Sequence, residues 1–252
     1  MDKRFVTQVA VITGGGDGLG KAIAQRIASE GGIVAIFDVN NEKMDQTAQE
    51  ISDLGHTSVS THIVDVSDES SVVAGYESVM EQHGRVDIMV NCAGIVGPTA
   101  TTVDEIALKD FENVLKVNTT GSFLVTKHAV RCMRPSNYGR ILLLASIAGK
   151  EGNAGMAVYS TSKSAVIGLV KAAGKELAET GITVNGLAPA VVKTNMLNDI
   201  PPEQIKYMTD KIPMNRLCGL EEVASLSTWI VSKEASFNTG FVFDLTGGRA
   251  TY

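Results

Sequence analysis

A chain of 252 residues with 44% hydrophobic and 20% charged side chains has ordinary globular composition, which excludes a disordered, collagen-like or coiled-coil protein and can fill a complete core. Lys plus Arg number 22 against 28 Asp plus Glu, a net charge of −6, and without a basic run to hold a phosphate backbone nucleic acid is excluded as a partner. The 25 glycines, about 10% of the chain against a usual ~7%, are the one excess, and their positions matter more than their number.

The first residues, Met1 to Gln8, are mixed in charge and lead into an apolar run, Val9 to Ile12, too brief for the core of an export signal. Strand-like runs follow at Val9–Thr13, Ile33–Asp38, Ser58–Val64, Val86–Asn91, Arg140–Ser146, Ile182–Leu187 and Phe241–Leu245. Between them Gly20–Glu30, Glu42–Leu54, Glu69–His83, Asp110–Met133 and Ser160–Glu179 carry helical spacing. Near-continuously apolar strands alternating with helices predict an α/β fold: one doubly wound Rossmann-type domain, with a seven-stranded parallel sheet covered by helices on both faces. The stretch Asn195–Arg216 breaks the rhythm. It holds Pro201, Pro202 and Pro213 with Met196, Leu197, Met208 and Met214, and is expected to be a substrate lid over the C-terminal strand edge.

The longest aliphatic run, Ile141 to Ala145, falls far short of the roughly 20 residues of a membrane span, so no membrane is expected. Cys92, Cys132 and Cys218 are odd in number and widely spaced, as expected of buried thiols in a reducing, cytoplasmic compartment. His128 and Cys132 lie four apart on a helix without a third or fourth ligand, so no metal is expected.

Thr13-Gly14-Gly15-Gly16-Asp17-Gly18-Leu19-Gly20 follows the first strand and opens the first helix. Glycines there permit a tight turn, let a pyrophosphate approach the backbone and pack helix against strand, while the helix-start amides attract an anion. Asp38 ends the second strand, placed to accept from the adenosine ribose hydroxyls and to repel a 2′-phosphate. No Arg or Lys interrupts the glycine turn and Val39-Asn40 supplies no cation, so NAD is expected over NADP. The competing role for Asp38 is an N-cap of the helix beginning near Asn40.

Tyr159 and Lys163, four apart, share one helical face. A free phenol titrates near pH ~10, so it becomes a base at neutral pH only where positive charge stabilises its anion, which Lys163 would help to do. A solvent-exposed helix pair is the alternative. Ser146 ends the fifth strand at the ligand-binding edge, and Asn118 is an amide inside an apolar helix, where a satisfied core polar group is the plainer reading.

The ordered set Thr13-Gly14-x3-Gly18-x-Gly20, Asp65-Val66, Asn91-Cys92-Ala93-Gly94, Asn118, Ser146 and Tyr159-x3-Lys163 resembles the short-chain dehydrogenase/reductase family across essentially the whole chain. The resemblance implies that Tyr159 is the acid–base group, that Lys163 binds the nicotinamide ribose and lowers the phenol pKa, that Ser146 orients the reacting oxygen and that Asn118 holds a relay water. It implies cofactor contacts at Gly14, Asp17, Gly18, Leu19, Gly20, Asp38, Asp65, Val66, Asn91, Ala93, Gly94, Tyr159, Lys163, Pro189, Val192 and Thr194. Two positions depart from the family pattern: Cys92 stands where a second Asn is common, and Ala190 where Gly commonly follows Pro189.

The loop expected between Ser146 and Tyr159, loosened by Gly149, Gly152 and Gly155, carries Lys150, Glu151 and Asn153, which suit a polyhydroxylated or carboxylated substrate, or simply face water. That loop, residues 211–216 and the closing Gly-Gly-Arg-Ala-Thr-Tyr resemble sugar-acid dehydrogenases that oxidise the C4 hydroxyl of 2-keto-3-deoxy-L-fuconate or L-rhamnonate. The substrate contacts so implied are Ser146, Lys150, Asn153, Met156, Tyr159, Arg216 and Arg249, with the three cations as candidates for a carboxylate. Another sugar or polyol dehydrogenase, a 3-oxoacyl carrier-protein reductase and a non-catalytic NAD-binding regulator are the alternatives. Asp38 and the negative net charge disfavour the reductase of an acidic carrier. Family relatives commonly form homotetramers, expected here through the helices near Asp110–Met133 and Ser160–Glu179.

Overall fold

A computed structural model describes residues 3–55, 58–194, 202–250 and 252. Seven parallel strands, β1 (Val9–Thr13), β2 (Ile33–Asp38), β3 (Val59–Ile63), β4 (Ile88–Asn91), β5 (Gly139–Leu144), β6 (Ile182–Pro189) and β7 (Val242–Leu245), form one sheet in the order β3-β2-β1-β4-β5-β6-β7. The order reverses between β1 and β4, which opens a crevice at the C-terminal strand ends.

Alternation along each strand divides the core. Val9 and Val11 pack on one face with Phe37, Val125 and Val170, whereas Ala10 and Ile12 pack on the other with Ile23, Ile36 and Val223. The first layer is covered by α3 (Glu69–His83), α5 (Gly121–Met133) and α7 (Ala157–Glu176), the second by α1 (Gly18–Ser29), α2 (Asn41–Asp53) and α9 (Leu220–Ile230). Each fully buried Ile or Val contributes about 1.5–3 kcal/mol, so both sheet faces are fixed by apolar burial.

Several helices differ from the sequence reading. The helix expected across Asp110–Met133 is α4 (Leu108–Leu115), a single π turn over Lys116–Thr120, and α5. The supposed loop after Ser146 begins as a short helix, α6 (Ile147–Glu151), because the Ser146 hydroxyl caps it, accepting from the Ala148 N–H at 3.1 Å. Gly149 therefore does not loosen a loop: a Cβ there would stand 2.7 Å from the Lys163 carbonyl carbon, so this glycine lets α6 lie directly on the α7 backbone. In the segment expected to be a lid, residues 195–201 lie outside the described residues, Pro202–Asp210 form α8, and Ile212 is buried with Ile147, Ala190 and Ala250. Helix α9, unmarked in the sequence reading, starts at Gly219 with Glu222 closing back on the Gly219 N–H at 2.8 Å.

Candidate active site

The glycine turn joins β1 to α1. Gly14 and Gly18 adopt φ of +62° and +53°, values that disfavour a side chain. A Cβ on Gly20 would collide with the Gly14 carbonyl, which is why the turn folds so tightly onto the helix start. A Cβ on Gly18 would meet nothing within 4 Å, so open space lies beside the first turn of α1, whose leading N–H groups have no acceptor within the helix. Asp17 caps that helix by accepting from the Gly18 N–H at 2.7 Å.

Asp38 sits at the end of β2, next to this turn. Its carboxylate accepts from the Gly16 N–H at 3.1 Å and the Asn40 N–H at 3.0 Å. Asn40, not Asp38, is the N-cap of α2, so the capping alternative for Asp38 does not hold. Sequence reasoning found no cation at this point, yet the fold supplies one: Lys43, on the first turn of α2, donates to Asp17 at 2.7 Å. Only folding brings these two residues together.

Across the crevice, Thr13 and the buried Asn91 tie β1 to β4. The Thr13 hydroxyl donates to Asn91 Oδ1 at 2.5 Å and accepts from the Ala93 N–H at 3.1 Å, while Asn91 Nδ2 donates to the Ser122 hydroxyl at 2.9 Å. Val66 packs under Gly121, and the exposed Asp65 is held ionised below its ordinary range by hydrogen bonds to Ser67. Pro189 ends β6 opposite Leu245. Val192 bridges to Cys218 and is buried, and Thr194 follows at the limit of the described segment. These residues fit a dinucleotide: a glycine turn with space beside a helix start, an acid at the second strand end, and a line of residues along the same edge toward β6.

The four residues expected to do chemistry meet where β4, β5, the π turn and α7 converge. Burial pushes the Tyr159 phenol pKa up, partly opposed by the neighbouring Ser146 hydroxyl. The buried Lys163 donates to the Leu144 carbonyl at 2.7 Å, and its ammonium lies 5.7 Å from the Tyr159 ring centroid. Burial lowers its pKa to about 8, opposed by the neighbouring Cys92. Cys92 is in turn pushed up to about 12 by burial, against the pull of Lys163, so it stays a neutral thiol at physiological pH.

Asn118 stands on the π turn, a one-turn widening that recurs at functional sites. Its side chain accepts from the Ile95 N–H and donates to the Ile95 carbonyl, both at 2.8 Å, and donates to the Ser162 hydroxyl at 2.9 Å. The side chain thus braces the chain after β4 against α7, as the satisfied-core reading expects, and it does so beside the chemistry: a Cβ on Gly94 would stand 3.0 Å from Asn118 Oδ1 and 3.6 Å from Lys163 Nζ. Gly94 keeps that space open.

The residues expected to contact substrate are more engaged than the sequence suggests. Lys150 donates to Asp244 at 2.9 Å and to the Tyr252 carbonyl at 2.7 Å. Arg249 donates to Glu151 at 2.8 Å and to Asn153 at 3.0 Å, and Arg216 makes two 2.7 Å bonds to Glu222. Each cation already faces a carboxylate, so a substrate anion has to compete with one. Met156 immediately precedes α7. Beside these residues lies a cavity of about 320 Å³ bordered by Ala190, Ile212, Arg216, Glu222, Asp244 and Thr246. His128 bonds Glu69 at 3.0 Å, and among the described residues no group of three His, Cys, Asp or Glu side chains is arranged to hold a metal. No described helix is long and apolar enough to cross a membrane.

Comparison with known proteins agrees with this geometry. A family model described as short chain dehydrogenase matches residues 8–205. A 2-dehydro-3-deoxy-L-rhamnonate dehydrogenase (NAD(+)) of Sphingomonas sp. (strain SKA58) is 42% identical over 99% of this chain and 98% of its own. A 3-oxoacyl-[acyl-carrier-protein] reductase of Aquifex aeolicus (strain VF5) is 35% identical over 98% of this chain and 99% of its own. Among solved structures, NAD⁺-bound xylitol dehydrogenase superposes with a TM-score of 0.92 at 31% identity, covering 97% of this chain and 100% of that one. With a family model matched over most of its length and relatives of this identity, the chain belongs to the short-chain dehydrogenases.

Proposed function

We propose that the chain is an NAD-dependent dehydrogenase that oxidises a secondary hydroxyl of a sugar acid, at C4 of a substrate such as 2-keto-3-deoxy-L-rhamnonate or L-fuconate. The observation that carries the reading is the buried Lys163 ammonium 5.7 Å from the Tyr159 ring, with Ser146 close enough to the phenol to favour its anion. The identity shared with the Sphingomonas enzyme supports the substrate class and the cofactor, and Asp38 beside the glycine turn supports NAD over NADP.

In this mechanism Ser146 holds the substrate oxygen, and Tyr159 takes the hydroxyl proton while the adjoining carbon gives up a hydride, leaving a ketone. Bound NAD supplies the hydride acceptor. Lys163 stabilises the phenolate, a demanding role because burial holds the phenol protonated in the chain alone. Asn118 fixes the chain after β4 and holds a relay water near Lys163. Gly14, Asp17, Gly18, Leu19, Gly20, Asp38, Asp65, Val66, Asn91, Ala93, Gly94, Pro189, Val192 and Thr194 hold the dinucleotide. Lys150, Asn153, Met156, Arg216 and Arg249 form the substrate side, where the carboxylate draws one cation from its acidic partner.

The exposed Phe123 on α5 fits assembly into a homotetramer through the helices near Asp110–Met133 and Ser160–Glu179, and three free thiols fit the cytoplasm. The test is NADH formation from keto-deoxy sugar acids and polyols, with the oxidised carbon identified in the product, alongside NADH or NADPH consumption with 3-oxoacyl thioesters. Turnover of sugar acids at C4 is the expected result. A clear preference for the thioesters with NADPH would replace this reading by the carrier-protein reductase, which the Aquifex relative represents.

A further inference from the structure

Lys43 belongs neither to the glycine turn nor to the end of β2, yet a closed circuit of contacts sets it between them. The Asp38 carboxylate accepts from the Gly16 and Asn40 N–H groups. The Asn40 side chain accepts from the Lys43 N–H at 3.0 Å, Lys43 Nζ donates to Asp17 Oδ2 at 2.7 Å, and Asp17 Oδ1 accepts from the Gly18 N–H at 2.7 Å. Lys43 and Asp38 also converge on one glycine: a Cβ on Gly16 would stand 3.0 Å from Lys43 Cβ and 3.1 Å from Asp38 Oδ2.

Two electrostatic consequences follow. An aspartate suits a helix start as a cap, but it carries the same sign as a pyrophosphate docking at that start, and Lys43 cancels that charge. In return Asp17 occupies Lys43, a cation that the fold brings beside Asp38. Both side chains are about half exposed, 51% each, so the pair adds little to folding and its effect falls on what binds beside it.

We propose that the Asp17–Lys43 ion pair sets the cofactor selectivity of this site: paired, Lys43 offers no free ammonium near the ribose, and the site accepts a 2′-hydroxyl; released, it becomes the binding partner of a 2′-phosphate. The proposal rests on the dinucleotide reading of the glycine turn. It assigns selectivity to a residue outside the turn and adds to the role of Asp38.

The test is calorimetric binding of NAD⁺ and NADP⁺ to the intact protein, with the ratio of their dissociation constants as the readout. Asp17→Asn keeps an acceptor for the Gly18 N–H while removing the charge that holds Lys43. It is expected to shift the ratio toward NADP⁺ at least about tenfold, and the shift should shrink as salt rises from about 50 to about 500 mM. Adding Lys43→Gln should abolish the shift. A ratio unchanged in Asp17→Asn, or a gain that survives in the double variant, overturns the proposal. Binding of neither nucleotide by the unaltered protein would instead overturn the dinucleotide reading, and this inference with it.

Discussion

The Lys163 ammonium, 5.7 Å from the Tyr159 ring centroid, is buried with the Leu144 carbonyl as its hydrogen-bond acceptor. Burial moves both groups toward their neutral forms, Lys163 downward and Tyr159 upward. Near neutral pH the phenol is neutral in either state, so it is the buried ammonium that is held at a cost to the fold.

That cost should be measurable as stability. Lys163 titrates near 10.5 when unfolded and at about 8 in the fold. Below pH 8 both states therefore carry the charge and the fold bears the full burial penalty, whereas between pH 8 and 10.5 only the unfolded state is charged. The contribution of Lys163 is most favourable above its unfolded pKa and is lost as pH falls through 10.5 toward 8. Lys163→Met should stabilise the cofactor-free protein by about 1–3 kcal/mol near neutral pH, with the gain vanishing toward pH ~10.5, while turnover collapses. Denaturation curves at neutral and alkaline pH decide it; a gain independent of pH would contradict the assignment.

Tyr159→Phe removes one hydroxyl and keeps the ring in place. If the phenol is the acid–base group, turnover should fall at least ~10²-fold with the melting temperature little changed. Ser146→Ala should differ by losing both rate and the cap of α6, at about 1 kcal/mol. Near-normal turnover of the phenylalanine variant would remove Tyr159 from the mechanism.

Asp38→Ala with Val39→Arg should move cofactor preference toward NADP, read as the ratio of kcat/KM values. Because Asp38 accepts from two N–H groups, the alanine should also cost about 1–3 kcal/mol. Asp38→Asn with Val39→Arg keeps an acceptor and should shift preference with less loss of stability. Unchanged preference in both variants would remove Asp38 as the ribose determinant.

Gly149→Ala introduces a methyl group 2.7 Å from the Lys163 carbonyl carbon and 2.8 Å from its oxygen. Backbone cannot give way there as a flexible side chain would. Overpacking should cost about 1–3 kcal/mol and push α6, which begins at Ser146, away from α7, which carries Tyr159 and Lys163. The check is turnover alongside melting temperature. A variant of normal rate and stability would mean the two helices are not held in register by this contact.

Much of the architecture was legible locally. The strands Val9–Thr13 and Ile33–Asp38 and the helix Glu69–His83 coincide with the observed elements, since apolar runs, turn residues and caps all lie within a few positions. The glycine turn was legible for the same reason. The π turn around Asn118 was not, because its helical pattern continues unbroken and the extra residue is accommodated by contacts from Ile95 and Ser162. Nor were the ion pairs: Lys43 reaches Asp17 across 26 positions and Arg249 reaches Glu151 across 98. The sequence could nominate Arg249 for a ligand but not Lys43, and could not reveal which carboxylates already hold them.

The reversal of strand order between β1 and β4 also governs when the site can exist during folding. Thr13 and Asn91 are 78 positions apart, so the two walls of the crevice meet only after a long loop has closed, an entropic cost that local structure cannot defray. The glycine turn can form early with β1 and α1, but its opposite wall arrives late. Acquisition of cofactor affinity in a refolding experiment thus reports the joining of the two half-sheets, a later event than the appearance of helical signal.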